Sequence, residues 1–260
     1  MFHDPALRKA KASVAAAGNF TRRERMFISR HKVECMLAWS ESNEELRKYA
    51  LLFLLSYSFL LRTPSEALPA IAGTDGSELG SNSVLFKNGD QLVLVLRRRK
   101  NKPAGSRLAR RCTCNSAANA CAFHLIGSLL DTTPVGTRLF EGITASGALA
   151  YSDCAIMLCT CCLCSGATTT LRILLEAVGT QNAHLYRPHD LRRGHAEDLR
   201  LSGAPLWKIL AAGEWRSPAF LNYMDIHKME IEMVMQGCLD EESDCDVDTY
   251  VCAATASSGA

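Results

Sequence analysis

The chain has 260 residues, of which 48% are hydrophobic and 22% charged, as in an ordinary globular protein of one large domain or two small ones. Its net charge of +2 is unevenly distributed, because six acidic residues crowd the segment 240–248 and leave a body of about +8 that suits a polyanionic partner. The charged N-terminus resembles no signal peptide, and the longest apolar run, 49–61, is shorter than the roughly 20 residues that span a bilayer. We therefore expect an intracellular protein without a membrane segment.

The first strong pattern along the chain is a pair of helices. An amphipathic helix is predicted over residues 21–40, and Asn43 is placed to cap a second, almost uniformly apolar helix that continues to Leu61. Arg62 follows this helix directly and precedes a capping-box sequence, Thr63-Pro64-Ser65-Glu66. Arg62 is therefore either a cation at a helix C-terminus or a functional arginine held by buried structure.

A β-hairpin is predicted next. Residues 73–83 are rich in Gly and Ser and predict a loop, after which two strands, 83–87 and 91–97, flank the turn sequence Asn88-Gly89-Asp90. A third strand over 106–111 would complete a small antiparallel sheet.

The turn after the second strand is strongly basic. Eight Lys or Arg residues and no acid lie between Arg97 and Arg111. A charge run is usually a solvated face, but one of a single sign at a hairpin tip favours contacts with the DNA backbone. The predicted DNA contacts in this run are Arg97, Arg98, Arg99, Lys102 and Arg107.

Three cysteines and a histidine follow in the spacing Cys112-x-Cys114-x6-Cys121-x2-His124. These residue types form the ligand set of a structural zinc site, which would join the sheet to the next helix and leave no open position for chemistry. The alternative is a cysteine-rich loop without metal, because the spacing matches no common zinc finger closely.

Residues 139–150 indicate a strand end and a helix start, and then the pattern breaks. The segment 151–170 contains four closely spaced cysteines, at 159, 161, 162 and 164, and fits neither a helical nor a strand period. We hypothesise an insertion that interrupts one helix running from Ile143 to Ile173. An unusual buried helix is the alternative.

Three helices are predicted towards the C-terminus. Pro188 begins the first, which ends at Gly203, and the second covers 204–212 and ends at Gly213. The third, from about 219 to 236, carries Tyr223 near its second turn. The acidic tail over 237–260 is predicted to be disordered.

Three blocks together resemble the catalytic domain of tyrosine recombinases, the phage-integrase family: YSFLLRTPSEALP, RRRKNKPAGSRL and HDLRRGHAEDLRLSGAPLWKILAAGEWRSPAFLNYMD. The similarity is greatest to divergent fungal and protist members, mobile-element forms included. It implies an α+β, mainly α-helical fold with a small three-stranded antiparallel sheet. It also implies a catalytic domain over 43–236, preceded in 1–42 by a helical remnant or truncated core-binding domain.

The resemblance assigns a role to each matched residue. Arg62 and Arg192 would be the two catalytic arginines, and Lys100 the lysine of the hairpin turn, with Lys102 as its fallback. The remaining matched positions are His189, Trp215 (where histidine is commoner), the nucleophile Tyr223 and a further DNA contact, Arg193. Two spacings depart from the family pattern, because Arg62 and Glu66 are one residue further apart than usual and Trp215 and Tyr223 one residue closer.

The function implied is DNA cleavage and rejoining, in site-specific recombination or DNA integration, through a 3′-phosphotyrosine on Tyr223 and without metal or ATP. Double-stranded DNA, a homo-tetramer on that DNA and a nuclear location follow from the same resemblance. The main alternative is a decayed or domesticated integrase-like protein that binds DNA without cutting it. A zinc-dependent regulatory module and a type IB topoisomerase are further alternatives.

Four further residues have the same chemical types as the assigned catalytic residues. His195 is expected to be a helix-face residue, Tyr186 a structural residue and Trp207 a core residue. Tyr250 is a rival nucleophile, but it lies in the acidic tail, which repels DNA.

Overall fold

The computed structural model describes residues 26–75, 82–97, 99, 102, 104–114, 121–144 and 166–215. Six α-helices, two short helical turns and four strands lie in these ranges. The helices are α1 (Arg30–Trp39), α2 (Glu44–Ser58), α3 (Ala122–Thr132), α4 (Ala167–Ala177), α5 (His189–Leu201) and α6 (Leu206–Gly213). A π turn covers Thr63–Ala67 and a 3-10 turn Ala183–Leu185; the strands are β1 (Ile71–Ala72), β2 (Val84–Asn88), β3 (Gln91–Leu96) and β4 (Ser106–Arg111). The mainly helical α+β fold is as predicted.

Helix α2 lies at the centre of the fold. Its predicted cap is confirmed, because the Asn43 side chain accepts a hydrogen bond of 3.0 Å from the Leu46 backbone N–H. The helix is buried along most of its length and packs against α1, α3, α4 and α5. It ends at Ser58, three residues before the predicted end at Leu61, because Leu60 adopts a left-handed conformation with φ of 51°. Residues 59–61 remain fully buried, so the apolar pattern continued past the helix itself.

The left-handed Leu60 turns the chain into the π turn that carries Glu66. The Glu66 carboxylate accepts a hydrogen bond of 2.9 Å from the Arg62 backbone N–H, whereas the predicted capping box would have used the N–H of Thr63. Thr63 is not the cap, since its hydroxyl donates instead to Ser56 Oγ at 2.9 Å in the buried interior. Arg62 itself occupies the cap position of this turn.

The sheet has four strands in the order β1-β2-β3-β4, and β1 is parallel to β2. The predicted three-stranded, purely antiparallel sheet is therefore wrong in both number and direction. The prediction failed at β1 because two apolar residues carry no alternation and gain strand geometry only by pairing with β2. The antiparallel hairpin of β2 and β3 is confirmed, with Asn88 opposite Gln91 and Gly89 in the left-handed region at φ of 58°.

Helix α4 begins at Ala167, close to Thr144. The Ala167 backbone N–H donates a hydrogen bond of 2.8 Å to the carbonyl of Thr144, so residues on either side of segment 145–165 are in contact. Residues 167–170, which the sequence analysis assigned to the proposed insertion, form the first turn of α4, where Ala167 and Thr170 are buried. The insertion itself stays a prediction, as does the helix expected over 219–236, which lies outside the described residues together with the tail.

Helix α5 is fixed closely against the segment before α1. A Cβ atom on Gly194 would lie 1.7 Å from the carbonyl oxygen of Ile28, so only glycine permits this approach. The backbone N–H of Ile28 donates to the Asp190 backbone carbonyl at 3.1 Å, and the backbone N–H of Arg30 donates to the Asp198 carboxylate at 2.7 Å. This packing places the first turn of α5 next to the central helix.

The short helix α6 packs on α5 through Ile209 and Gly213. Its first turn faces away from this contact, so Trp207 is 71% exposed and the expectation that it lies in the core is wrong. Within the described ranges, the helices are all too short or too polar to cross a membrane.

Candidate active site

The first turn of α5 carries the His-x-x-Arg pair, His189 and Arg192. This turn is organised by Asp190, which is completely buried. One oxygen of Asp190 accepts a hydrogen bond of 2.8 Å from the Arg187 backbone N–H, and the other accepts one of 2.8 Å from the Arg193 guanidinium. A carboxylate here also complements the positive end of the helix dipole. Asp190 thus begins the helix and orients Arg193.

Arg192 connects the start of α5 to the end of α6. Its side chain is 2% exposed, and it donates a hydrogen bond of 2.7 Å to the carbonyl of Gly213. Its guanidinium carbon lies 4.8 Å from the centre of the Trp215 ring, within the range of a cation–π contact. Arg192 and Trp215, which are 23 positions apart in the chain, are therefore in direct contact.

Gly213 makes the position of Trp215 possible. A Cβ atom on Gly213 would lie 2.1 Å from the indole ring, so the ring occupies the space that any larger residue would need. Glu214, between them, takes the left-handed conformation with φ of 50°, and the backbone N–H of Trp215 donates to the Leu210 carbonyl at 3.0 Å. The chain turns back at this point and places Trp215 against α5.

Arg62 reaches the same region from the end of α2. Its guanidinium forms a salt bridge of 3.2 Å with Glu66, whose side chain is 2% exposed while that of Arg62 is 27% exposed. The Arg62 backbone N–H also donates to Glu66. A single buried carboxylate therefore holds both the backbone and the side chain of Arg62, and part of that side chain remains accessible to solvent.

Arg99 supports this arrangement from the hairpin. It is buried and donates to the Glu66 carboxylate at 3.2 Å, to the Leu60 carbonyl at 3.2 Å and to the Glu214 carboxylate at 2.5 Å. Arg99 was predicted to contact DNA, but it is instead the centre of a buried ion-pair cluster. Two carboxylates compensate the buried guanidinium.

Glu214 connects the hairpin turn to the Arg192–Trp215 contact. It forms salt bridges with Arg99 and with Lys102, whose backbones also exchange hydrogen bonds of 3.2 and 3.0 Å across the turn. Burial alone would raise the pKa of Glu214, but the hydrogen bonds from Lys102 and Arg99 outweigh it and lower that pKa below the ordinary value. Sequence reasoning missed Glu214, because its partners lie more than 100 positions away and no local pattern distinguishes it.

His189 lies in a positive environment. Burial, followed by the charges of Arg193, Arg192 and Arg62, lowers its pKa to about 4. The histidine is therefore neutral at pH 7. Contacts also link the end of α2 to the end of α6, because Arg62 pairs with Glu66, Glu66 with Arg99, and Arg99 with Glu214, the residue before Trp215.

The structure thus brings together four of the six predicted catalytic residues: Arg62, His189, Arg192 and Trp215. Lys100 and Tyr223 lie outside the described residues, as does the predicted DNA contact Arg98. Of the other predicted DNA contacts, Arg107 is exposed on β4 with its guanidinium 5.3 Å from the Phe86 ring centre, and Arg97, Lys102 and Arg193 are half-buried.

His195 and Tyr186, which were set aside as catalytic candidates, both contact other residues of the fold. His195 stacks on the Tyr57 ring at 4.6 Å and its Nδ1 lies 2.6 Å from the Tyr57 carbonyl. The hydroxyl of the buried Tyr186 accepts a hydrogen bond of 2.7 Å from Lys32. Each of these two residues therefore has a partner outside the candidate active site.

A second group of chemically interesting side chains lies at the far end of β4. The three sulfur atoms of Cys112, Cys114 and Cys121 and a ring nitrogen of His124 are all within 4.8 Å of one another. The predicted ligand set is therefore brought together in space.

No protein-family model matches the sequence, and no curated protein matches it. Solved structures of the site-specific recombinase XerH do match. Its post-cleavage complex with a palindromic difH substrate aligns at a TM-score of 0.51 and 13% identity, over 81% of this chain and 52% of that one. Its pre-cleavage difH complex aligns at a TM-score of 0.47 and 13% identity, over 84% and 56%. The chain spans about half the length of these structures, and the first alignment confirms a tyrosine-recombinase-like fold.

Proposed function

We propose that this chain cuts and rejoins double-stranded DNA with Tyr223 as the nucleophile, in site-specific recombination or DNA integration. The observation that supports the proposal is the convergence of Arg62, His189 and Arg192 from the end of α2 and the start of α5. Each of these groups can donate to phosphate oxygens, the charges of both arginines act on His189, and the Arg62 side chain is 27% exposed. The tyrosine-recombinase-like fold supports the same reaction class.

The two arginines would bind the scissile phosphodiester. A guanidinium donates two parallel hydrogen bonds to phosphate oxygens, and its charge stabilises the pentavalent phosphorus of the transition state. Both side chains are held before DNA arrives, Arg62 by Glu66 and Arg192 by Gly213 and Trp215. Preorganisation of this kind reduces the reorganisation needed during the reaction.

Tyr223 Oη would attack phosphorus, forming the new P–O bond as the bond to the 5′ oxygen breaks. The tyrosine proton would pass to His189, which is neutral at pH 7 and so able to accept it, or to solvent. Lys100 would protonate the departing 5′ oxygen, with Lys102 as the alternative donor. The phosphotyrosine retains the energy of the broken bond, so attack by a 5′ hydroxyl reverses the step without ATP or metal.

The hairpin would contact the DNA backbone through Arg97, Arg98, Lys102 and Arg107, and α5 through Arg193. A homo-tetramer on DNA and a nuclear location belong to the same proposal. Both follow from the resemblance of the sequence to tyrosine recombinases.

The test is covalent trapping that needs no known target site. A library of nicked duplexes with randomised sequence is incubated with the full chain, and DNA that survives denaturation as a protein adduct is captured and sequenced. We expect adducts with wild type and with Tyr250→Phe, and none with Tyr223→Phe. Arg192→Ala should lower adduct formation by roughly 100-fold or more, as for the loss of one group that stabilises a transition-state anion.

Two outcomes would change the proposal. If the chain binds the same duplexes but forms no adduct from any of them, the alternative of an integrase-like protein that binds DNA without cutting it is favoured. If instead it relaxes supercoiled plasmid in a Tyr223-dependent manner with no sequence preference, the type IB topoisomerase alternative is favoured.

A further inference from the structure

The cysteine and histidine cluster at the end of β4 has the composition of a metal site and plays no part in the proposed DNA chemistry. Cys112 and Cys114 follow β4 directly, while Cys121 begins α3 and His124 lies in its first turn. The cluster therefore joins the last strand of the sheet to the next helix.

The distances between ligand atoms in the cluster can be compared with those around a tetrahedral metal ion. The sulfur atoms of Cys112 and Cys121 are 3.8 Å apart, and Nδ1 of His124 lies 3.9 Å from Cys112 Sγ and 3.0 Å from Cys114 Sγ. Metal–sulfur bonds of about 2.3 Å and metal–nitrogen bonds of about 2.05 Å separate tetrahedral ligand atoms by roughly 3.6 to 3.8 Å. The Cys114–His124 pair is shorter than this and would need to move apart, and all other ligand pairs lie within 4.8 Å.

We infer that Cys112, Cys114, Cys121 and His124 bind one structural zinc ion, with the histidine coordinating through Nδ1. The ligands are soft thiolates with one imidazole, the set that selects zinc among the common divalent cations. The Thr113 backbone N–H donates to Cys121 Sγ at 3.4 Å, an interaction that stabilises a metal-bound thiolate. Four protein ligands leave no coordination position for substrate, so the ion stabilises the fold and takes no part in chemistry.

The ion would fix β4 against the end of the central helix. Arg110 on β4 donates a hydrogen bond of 2.7 Å to the carbonyl of Ser58, which is the last residue of α2. The guanidinium of Arg110 also lies 5.1 Å from the Phe59 ring centre. Ser58 precedes the turn that leads to Arg62. Zinc at one end of β4 thus stabilises the strand that supports the Arg62 side of the candidate active site.

The direct test is the metal content of the full chain. Protein purified with a thiol reductant and without chelator is analysed by mass spectrometry of elements, and we expect one zinc per chain. Cys112→Ser and His124→Gln, both at exposed positions, should lose the zinc. Cys35→Ser is the matched control and should retain it, because Cys35 is also a free cysteine near a histidine, 3.6 Å from His31, but outside the cluster.

Other cysteines in the chain could add metal and must be separated from this site. A variant in which Cys159, Cys161, Cys162 and Cys164 are all serine should still contain one zinc per chain. Cobalt substituted for zinc should show thiolate-to-metal charge-transfer absorption and the strong visible bands of tetrahedral geometry, and His124→Gln should weaken or shift both.

If the ligand variants fold poorly, the thermal stability of wild type with and without metal provides a separate test. Wild type from which a chelator has removed the metal should unfold at a lower temperature, and added zinc should restore the original midpoint. The inference is overturned if folded wild type contains well below one zinc, if Cys112→Ser retains it, or if intact mass shows a Cys112–Cys121 disulfide instead. None of these measurements depends on DNA cleavage, so the two proposals can fail separately.

Discussion

Arg192 and Trp215 form a cation–π pair, with the guanidinium carbon 4.8 Å from the ring centre, and the pair exists because Gly213 lacks a side chain. The same Gly213 supplies the carbonyl that accepts the 2.7 Å hydrogen bond from Arg192. One glycine therefore sets both of these contacts. The orientation of Arg192 depends on the end of α6 as much as on its own helix.

This relationship predicts the effect of Gly213→Ala. The added methyl group would lie 2.1 Å from the indole, so Trp215 must move and lose its contact with Arg192. Trp215 is 8% exposed, whereas Trp39 and Trp207 are 38% and 71% exposed. We expect a larger fraction of tryptophan fluorescence to become quenchable by acrylamide, and DNA adduct formation to fall by about tenfold or more.

Gly127→Ala is the matched control for that substitution. It is also a helical glycine, but its new methyl group would meet only the flexible end of the Lys87 side chain, at 2.7 Å. Quenching and adduct formation should remain close to wild type. Equal effects of the two substitutions would show that Gly213 has no special relation to Trp215.

Arg99 pairs with two acids, Glu66 and Glu214. We expect loss of the two acids to lower the free energy of unfolding by unequal amounts. The Arg99 and Glu66 side chains are 3% and 2% exposed, while the second acid, Glu214, is 10% exposed. Glu66→Gln should lower the free energy of unfolding by about 3 kcal/mol, because it leaves a buried charge poorly compensated. Glu214→Gln should cost about 1 kcal/mol, since Arg99 keeps its bond to Glu66.

Urea unfolding of both single variants and the double variant measures this difference. The two substitutions share Arg99, so their effects should not be additive. The pKa of Glu214 is lowered in the folded state, so its contribution is present above the ordinary glutamate pKa and is lost as the pH falls below it. Strict additivity, or an effect of Glu214→Gln that grows at acidic pH, would contradict the shared ion-pair cluster.

Much of this fold could be predicted from local patterns, because those patterns act over short stretches of chain. The Asn43 cap, the hairpin at Gly89 and the helix beginning near Pro188 each depend on a few neighbouring residues. The left-handed Leu60 and the two-residue strand β1 could not be predicted. Each is imposed by packing against distant parts of the chain.

The candidate site divides in the same way. Arg62, His189, Arg192 and Trp215 could be found because a resemblance to known proteins supplied their spacing. Glu214 could not, since it gains its role only when the hairpin turn and the end of α6 come together. Arg99 was predicted to contact DNA but pairs with buried carboxylates. A run of like charges does not indicate which of its members turns inward.

The meeting of Thr144 and Ala167 predicts that the segment between them can be removed. Their backbones are joined by a hydrogen bond of 2.8 Å, so a short Gly-Ser linker in place of residues 145–165 would span the gap without strain. Shortening a loop of this length changes its closure entropy by only about 1 kcal/mol, in the stabilising direction. We expect cooperative thermal unfolding at a midpoint equal to or above that of the full chain.

A slightly longer deletion provides the control. Extending it through residue 170 removes the first turn of α4, including the buried Ala167 and Thr170, and should lower the midpoint clearly. If the shorter deletion alone abolishes cooperative unfolding, the hypothesis that this segment is an insertion into an otherwise complete fold is wrong.

The neutral state of His189 predicts a specific dependence on pH and on DNA. Burial and the charges of Arg193, Arg192 and Arg62 hold its pKa at about 4, against about 6.5 in an unfolded chain. Between these values the unfolded chain binds more protons, so His189 stabilises the fold above pH 6.5 and this contribution is lost as the pH falls towards 4. His189→Gln should therefore show a weaker loss of stability than wild type over that range.

DNA should reverse this shift, because a phosphodiester bound by the same arginines offsets the positive charge around the imidazole and raises the pKa of His189. His195 is the internal control. Its pKa is also lowered to about 4, chiefly by burial, but its Nδ1 faces the Tyr57 carbonyl and should respond little to DNA. Nuclear magnetic resonance titration of the histidine rings, with and without duplex DNA, measures both. A shift of His195 equal to that of His189, or none at either residue, would place the bound phosphate away from Arg62 and Arg192.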